Sequence, residues 1–240
     1  SSYGLDLYGR QALPELIEKM SEIDGVEWIR LHYAYPSQFP YEILRVMREK
    51  KNVCSYIDIA LQHISDKVLG NMQRHISQEE TLQLITRLRE EVPGIHIRTT
   101  LMTGFPGEGE DEYKELKDFV VKSRFDRMGA FAYSEEEGTF AAHNYDDIIP
   151  DEIKQHRLQE IMEIQEGIAQ ELNEEKIGNT LKVIIDREED EYYVGRTEFD
   201  SPEVDPEVLV AKNKELQIGE FYNVKITGAL PFELLGEVVE

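Results

Sequence analysis

Arg98-Thr99-Thr100-Leu101-Met102-Thr103-Gly104-Phe105-Pro106-Gly107-Glu108 reads as a strand that runs straight into a Gly-x-x-Gly loop carrying a proline and an acid. Glycine at a strand end lets backbone come close to a ligand, so the loop marks where a small molecule is expected. Glycine and proline also make ordinary strand-to-helix turns, and spacing alone leaves both readings open.

Outward from this stretch the chain repeats a unit of strand then helix. Strands are predicted over residues 28–35, 56–63, 95–102 and 128–133. The first is followed by a helix opened by Pro40 with Ile43, Leu44 and Met47 on one face. The second is followed by a helix that starts at Ser77, whose spacing to Glu80 is a capping box, and that buries Leu84, Ile85, Leu88 and Val92. After Gly109 a third helix shows Tyr113, Leu116 and Val120 at helical spacing. Leu13, Leu16, Ile17 and Met20 mark one more helix ahead of the first strand. Parallel strands joined by crossover helices follow, either as a doubly wound sheet or as part of a barrel.

The faces of the strands separate these two architectures, because a sheet covered by helices on both sides reads as nearly continuous apolar residues. Here Ile29, Leu31 and Tyr33 alternate with Arg30 and His32; Ile57, Ile59 and Leu61 with Asp58 and Gln62; Ile95, Ile97 and Leu101 with His96, Arg98 and Thr100. The apolar face is predicted to meet the helices and the polar face to line a lumen that admits ligand and water. The other reading of that face is a lumen closed by its own salt bridges, Asp58 to Arg30 or to Arg98.

From Pro150 a long amphipathic helix carries Leu158, Ile161, Met162, Gln165, Ile168, Ala169 and Leu172 on one side and ends at Gly178. Short strands over 181–185, 192–196, 208–210, 221–226 and 234–238 then suggest a five-stranded OB-like barrel. The expected organisation is a partial barrel over 1–149, a linker helix over 150–175 and a small β-barrel over 176–240, an α/β chain with an all-β tail.

Charge limits the partners. The chain has 26 basic and 49 acidic residues, a formal charge of −23, too acidic to bind nucleic acid by neutralising phosphates. From Lys176 onward seven basic face fifteen acidic residues, and the acidic runs over 186–191 and 200–207 read either as a dock for a basic protein or as solvated loops. The lone cysteine, Cys54, excludes a disulfide framework and reads as a small buried residue. With no apolar run of membrane-spanning length and no leader, a cytoplasmic protein that does not enter membranes is expected.

Several stretches resemble the radical S-adenosylmethionine methylthiotransferases: Tyr3-Gly4-Leu5-Asp6-Leu7-Tyr8, Arg30-Leu31-His32-Tyr33-Ala34-Tyr35-Pro36, Tyr56-Ile57-Asp58-Ile59-Ala60-Leu61-Gln62-His63, the Gly104–Glu108 loop and Phe131-Ala132-Tyr133-Ser134. Ala60, where that family has proline, and Gly109, where it has threonine, depart from the pattern without removing a functional group. Arg196-Thr197, Asp200 and Pro202-Glu203-Val204-Asp205 resemble the branch that modifies an aspartate of small-subunit ribosomal protein twelve more than the branch that modifies transfer RNA.

The resemblance implies a partial radical SAM barrel followed by a TRAM domain, with S-adenosylmethionine as cofactor. It also implies two 4Fe-4S clusters, one on a Cys-x-x-x-Cys-x-x-Cys loop and one on three further cysteines, all upstream of Ser1. A deoxyadenosyl radical would then take hydrogen from the aspartate β-carbon, and a methylated sulfur on the second cluster would join the carbon radical. Without those ligands the segment by itself is expected to be inactive, and no catalytic or metal-binding residue is assigned within it.

The residues that the resemblance places around the cofactor are Gln62, Thr100 and Tyr133 at strand ends with the Gly104 loop, together with His63, Arg74 and Arg98. Gly104 would let the nucleoside pack on backbone, and Gln62 would offer donor and acceptor. Arg74, in Met72-Gln73-Arg74, would clamp a carboxylate or stand as a solvated surface residue, and His63 reads as an acid–base group or a core histidine. The tail would recruit the basic ribosomal protein. The rivals are the same chemistry on a transfer-RNA adenosine and a non-enzymatic protein-binding module.

Overall fold

The computed structural model describes residues 2–239. They form two compact units divided between Gln165 and Glu166, inside a long helix.

The first unit runs α1 (Leu5–Tyr8), α2 (Leu13–Ser21), β1 (Ile29–Ala34), α3 (Glu42–Glu49), β2 (Val53–Gln62), α4 (Asp66–Asn71), α5 (Gln78–Glu91), β3 (His96–Thr103), α6 (Glu110–Ser123), β4 (Arg127–Ala132), α7 (Phe140–Asn144) and the start of α8 (Asp151–Glu174). Its four strands are parallel and lie in chain order β1-β2-β3-β4. Among the described residues β1 and β4 stand at the edges of this four-stranded sheet, so the expected lumen is here one face of a sheet.

The local signals act as chemistry requires. Ser77 Oγ accepts the Glu80 N–H at 3.2 Å, and the Glu80 carboxylate accepts the Ser77 N–H at 2.8 Å, which satisfies two donors at the start of α5. α6 starts at Gly109, whose N–H donates to Glu112 at 2.8 Å. In β3 buried and half-buried residues alternate without exception from His96 to Thr103, as a strand with one covered face demands.

Ile97 and Leu101 meet a core built with Ile57, Ile59 and Leu61 of β2, Ile43 and Leu44 of α3, Leu84 and Leu88 of α5, and Leu116 and Val120 of α6. Each such side chain contributes about 2 kcal/mol by leaving water. Three short helices, α1, α4 and α7, carry too little periodicity to be read in advance. β2 starts three residues earlier than expected and takes in Cys54, which is buried.

The second unit is a closed barrel of β5 (Thr180–Glu188), β6 (Tyr192–Thr197), β7 (Glu207–Ala211), β8 (Phe221–Leu230) and β9 (Glu233–Val238), in the order β5-β6-β7-β9-β8. Closure leaves no open edge. Val183, Ile185, Val208, Val210, Val224, Ile226 and Leu234 fill it. From the far part of α8, Asn173 Nδ2 donates to the carbonyls of Leu230 at 2.9 Å and Pro231 at 3.1 Å.

Candidate functional site

Three parallel strands end in the left-handed region: Tyr33 near the end of β1 has φ 57°, Gln62 at the end of β2 has φ 69°, and Gly104 just past β3 has φ 74°. A side chain with a Cβ is strained there by about 1–3 kcal/mol, and such strain gathers at ligand sites. The carboxyl edge of a parallel sheet is also where ligands bind. Tyr33 is 85% exposed at this edge.

Below the edge the polar face is closed by its own side chains. Asp58, 4% exposed, accepts from Arg98 Nη1 at 3.0 Å, while His32 Nδ1 lies 4.0 Å from its other oxygen and the Tyr33 N–H 3.4 Å away. In-register pairing of Asp58 with Arg98 on neighbouring strands creates this bridge. Arg30 stacks over the rings of Tyr56 at 5.4 Å and Trp28 at 5.9 Å. Arg98, expected among the cofactor ligands, is thus committed to Asp58, as in the salt-bridge reading of this face. Thr100 stands one step nearer the edge, paired with Gly129, half-buried on the same face.

The Gly104 loop is not an open cradle. A Cβ on Gly104 would strike the stem of Lys154, so on that side the backbone is covered by a lysine from α8. Lys154 is 2% exposed and bonds Asp147 at 2.5 Å and Asp151 at 3.3 Å. Burial acts to lower its pKa, but the bonds to the two aspartates outweigh it and hold the ammonium above its ordinary value. Phe105 packs edge-on against Tyr133 at 4.8 Å, with Val68, Met72 and Met102 around them. Burial, then the charges of Glu135 and Asp147, pushes the Tyr133 phenol up.

His63 is fully buried and both of its ring nitrogens are used. Nδ1 accepts the Ser65 N–H at 3.0 Å, so the ring proton sits on Nε2, which faces Glu108 Oε2 at 3.0 Å. The other Glu108 oxygen accepts from the Gly104 N–H at 2.9 Å and Arg157 Nη1 at 2.8 Å. His63 therefore holds the loop and is shut away from any ligand. Arg74 donates to the Ala60 carbonyl at the end of β2 and lies 4.6 Å over the Tyr35 ring. Burial lowers its pKa. It is neither a solvated surface arginine nor, among the described residues, bonded to a carboxylate.

What the edge offers a ligand is a set of buried polar atoms without protein partners: Gln62 Oε1, Arg74 Nε and the Tyr133 hydroxyl. A buried polar atom left without a hydrogen bond is costly, so each of these atoms calls for a partner, water or ligand. An amide oxygen, a guanidinium N–H and a phenol suit the hydroxyls, amine and carboxylate of an amino-acid nucleoside, so these residues fit S-adenosylmethionine.

Residues 5–120 match the radical SAM superfamily and residues 177–239 match the TRAM domain. The chain joins a radical SAM segment to a TRAM domain. It is 63% identical over 238 residues to the ribosomal protein uS12 methylthiotransferase RimO of Bacteroides thetaiotaomicron, across 99% of this chain and 55% of that protein. To RimO of Flavobacterium psychrophilum it is 52% identical over 236 residues, across 98% of this chain and 54% of the relative. The chain thus spans about half the length of these relatives. The Escherichia coli coproporphyrinogen III oxidase HemN, described as a radical SAM enzyme, superposes with a TM-score of 0.49 at 18% identity over 59% of this chain and 32% of its own.

The first unit holds buried charges that sequence reading passed over, among them Lys154 and Arg157. Both lie on the buried stripe of α8 continued by Ile161, Gln165 and Ile168. Their place on that stripe was the available signal, since a charge at a core position needs a specific partner. Among the described residues no helix is long and apolar enough to cross a membrane.

Proposed function

We propose that this chain is the radical SAM and TRAM portion of a cytoplasmic methylthiotransferase that adds a methylthio group to an aspartate β-carbon of ribosomal protein uS12. The observation that carries this reading is the 63% identity, held across 99% of the chain, to a relative named for that reaction. When bound, S-adenosylmethionine together with reduced 4Fe-4S clusters held by residues outside this chain supplies the radical and the sulfur chemistry. Gln62 Oε1 would accept from a cofactor hydroxyl or amine, and the unpartnered Nε–H of Arg74 would donate to a carboxylate. Tyr133 closes the side of the site against water with Phe105.

The acidic barrel, with seven basic and fifteen acidic residues from Lys176 onward, steers a basic ribosomal protein toward the site. The test is to reconstitute the intact protein with iron and sulfide under anaerobic conditions. It is then supplied with S-adenosylmethionine, a reductant and either uS12 or transfer RNA. Mass spectrometry should find one methylthio group on a uS12 aspartate; modification of transfer RNA with uS12 untouched refutes the assignment.

A further inference from the structure

Gln62 is the centre of a γ-turn: the His63 N–H donates to the Leu61 carbonyl at 2.9 Å across a residue with φ 69°. The positive-φ form of this turn is rare and strained, and glycine would occupy it more easily than glutamine. A strained residue persists only where its surroundings over-determine it. Before the turn the Leu61 N–H donates to Thr99 Oγ1 at 3.4 Å, Thr99 Oγ1 holds the Ile59 carbonyl at 2.8 Å and Arg74 holds the Ala60 carbonyl, which supports the strand up to the turn.

After the turn the support is strong. His63 is fixed by Ser65 on one ring nitrogen and by Glu108 on the other, and Glu108 is fixed in turn by Gly104 and by Arg157, whose Nη1 also reaches the Glu108 carbonyl at 3.1 Å. Both side chains of the His63–Glu108 pair are 0% exposed. Well-packed apolar residues of similar volume would give comparable stability to such a buried set, so its geometry is what distinguishes it.

We infer that His63, Glu108 and Arg157 form a clamp of positioning residues that locks the strained turn at Gln62 to the Gly104 loop and to α8, and so presents the buried Gln62 amide oxygen to the ligand of the carboxyl edge. The clamp ties three elements, the end of β2, the loop after β3 and the first turns of α8, through one carboxylate. Only the identity of the ligand rests on the cofactor reading above.

The test uses this chain, S-adenosylhomocysteine as the probe, and the variants His63→Leu, His63→Gln and Gln62→Gly. Long-range nitrogen–proton NMR of the unsubstituted chain should show His63 as the Nε2–H tautomer. His63→Leu should speed hydrogen exchange at the Gly104 amide by about tenfold or more while Ile97 in β3 is unaffected. His63→Gln, which returns an N–H near the Nε2 position, should restore most of that protection. Gln62→Gly should raise the thermal midpoint and weaken the probe about tenfold, the pattern of a strained site relaxed at the expense of binding.

An Nδ1–H tautomer, unchanged Gly104 exchange in His63→Leu, or a His63→Leu chain that loosens the loop yet binds the probe as tightly as before, overturns the clamp. If the exchange results are as expected but no form of the chain takes the probe, the clamp stands and the cofactor reading falls.

Discussion

Replacing Gly104 with alanine tests what occupies the space over the loop. Gly104 has φ +74°, where an alanine is strained by about 1 kcal/mol. Its Cβ would also run into Lys154 Cγ and lie 2.8 Å from Cβ and 2.9 Å from Cδ, so the lysine must shift. Lys154 cannot shift freely, because it is buried with its ammonium on Asp147 and Asp151. Overpacking of that kind costs about 2 kcal/mol, giving roughly 3 kcal/mol in all. For a chain of this size the thermal midpoint should drop by about 6–12 °C.

A double-mutant cycle with Lys154→Ala isolates the cause. Removing Cγ and Cδ clears the closest contact and leaves only the 2.8 Å approach to Cβ, so Gly104→Ala should then cost markedly less. Urea denaturation of the four proteins should give a coupling of about 1.5–2 kcal/mol. The cost of leaving Asp147 without its lysine cancels in the cycle. Additivity within about 0.5 kcal/mol would refute the reasoning, since the glycine would then be needed for some reason other than Lys154.

Three further outcomes are expected. Ser77→Ala removes the capping box of α5 and should lower stability by about 1 kcal/mol in urea titrations, with the loss of protection concentrated in the first turn of the helix. Asp200 is buried and accepts from the Thr197 N–H at 3.2 Å and hydroxyl at 2.5 Å, so Asp200→Ala should cost about 2 kcal/mol and Asp200→Asn less. Arg187, bonded to both oxygens of Glu207 at 2.5 and 2.8 Å, holds that carboxyl below its ordinary value of 4.5. Its contribution to stability is therefore present above 4.5 and lost as pH falls through the lower folded value. Hydrogen exchange at β7 should quicken on acidification below pH 4.5, and less so in Glu207→Gln.

Much of the fold is legible along the chain because period reports face. The alternation from His96 to Thr103 announces a strand covered on one side, and Ser77 with Glu80 announces where α5 starts. The candidate site is less legible. Period puts Arg98 and Asp58 on the polar face but says nothing about whether they meet; that needed β2 and β3 to be neighbours in one register. His63 sits next to Gln62 in sequence, and alternation turns its ring toward the core while Gln62 stays at the edge; what period could not show is that the ring meets Glu108 there.

The sequence by itself determined the strand–helix repeat, the polar and apolar faces of the strands, the five short strands of the tail and the acidic charge, since all of these depend on residues close together along the chain. Tertiary structure alone decided that Gly104 lies under Lys154 and that Glu108 joins His63 to Arg157. Those partners are 45 to 50 residues apart in sequence, and spacing over such distances carries no information about which buried charge will find which. Only packing, which makes an unpaired charge costly, selects the pairs.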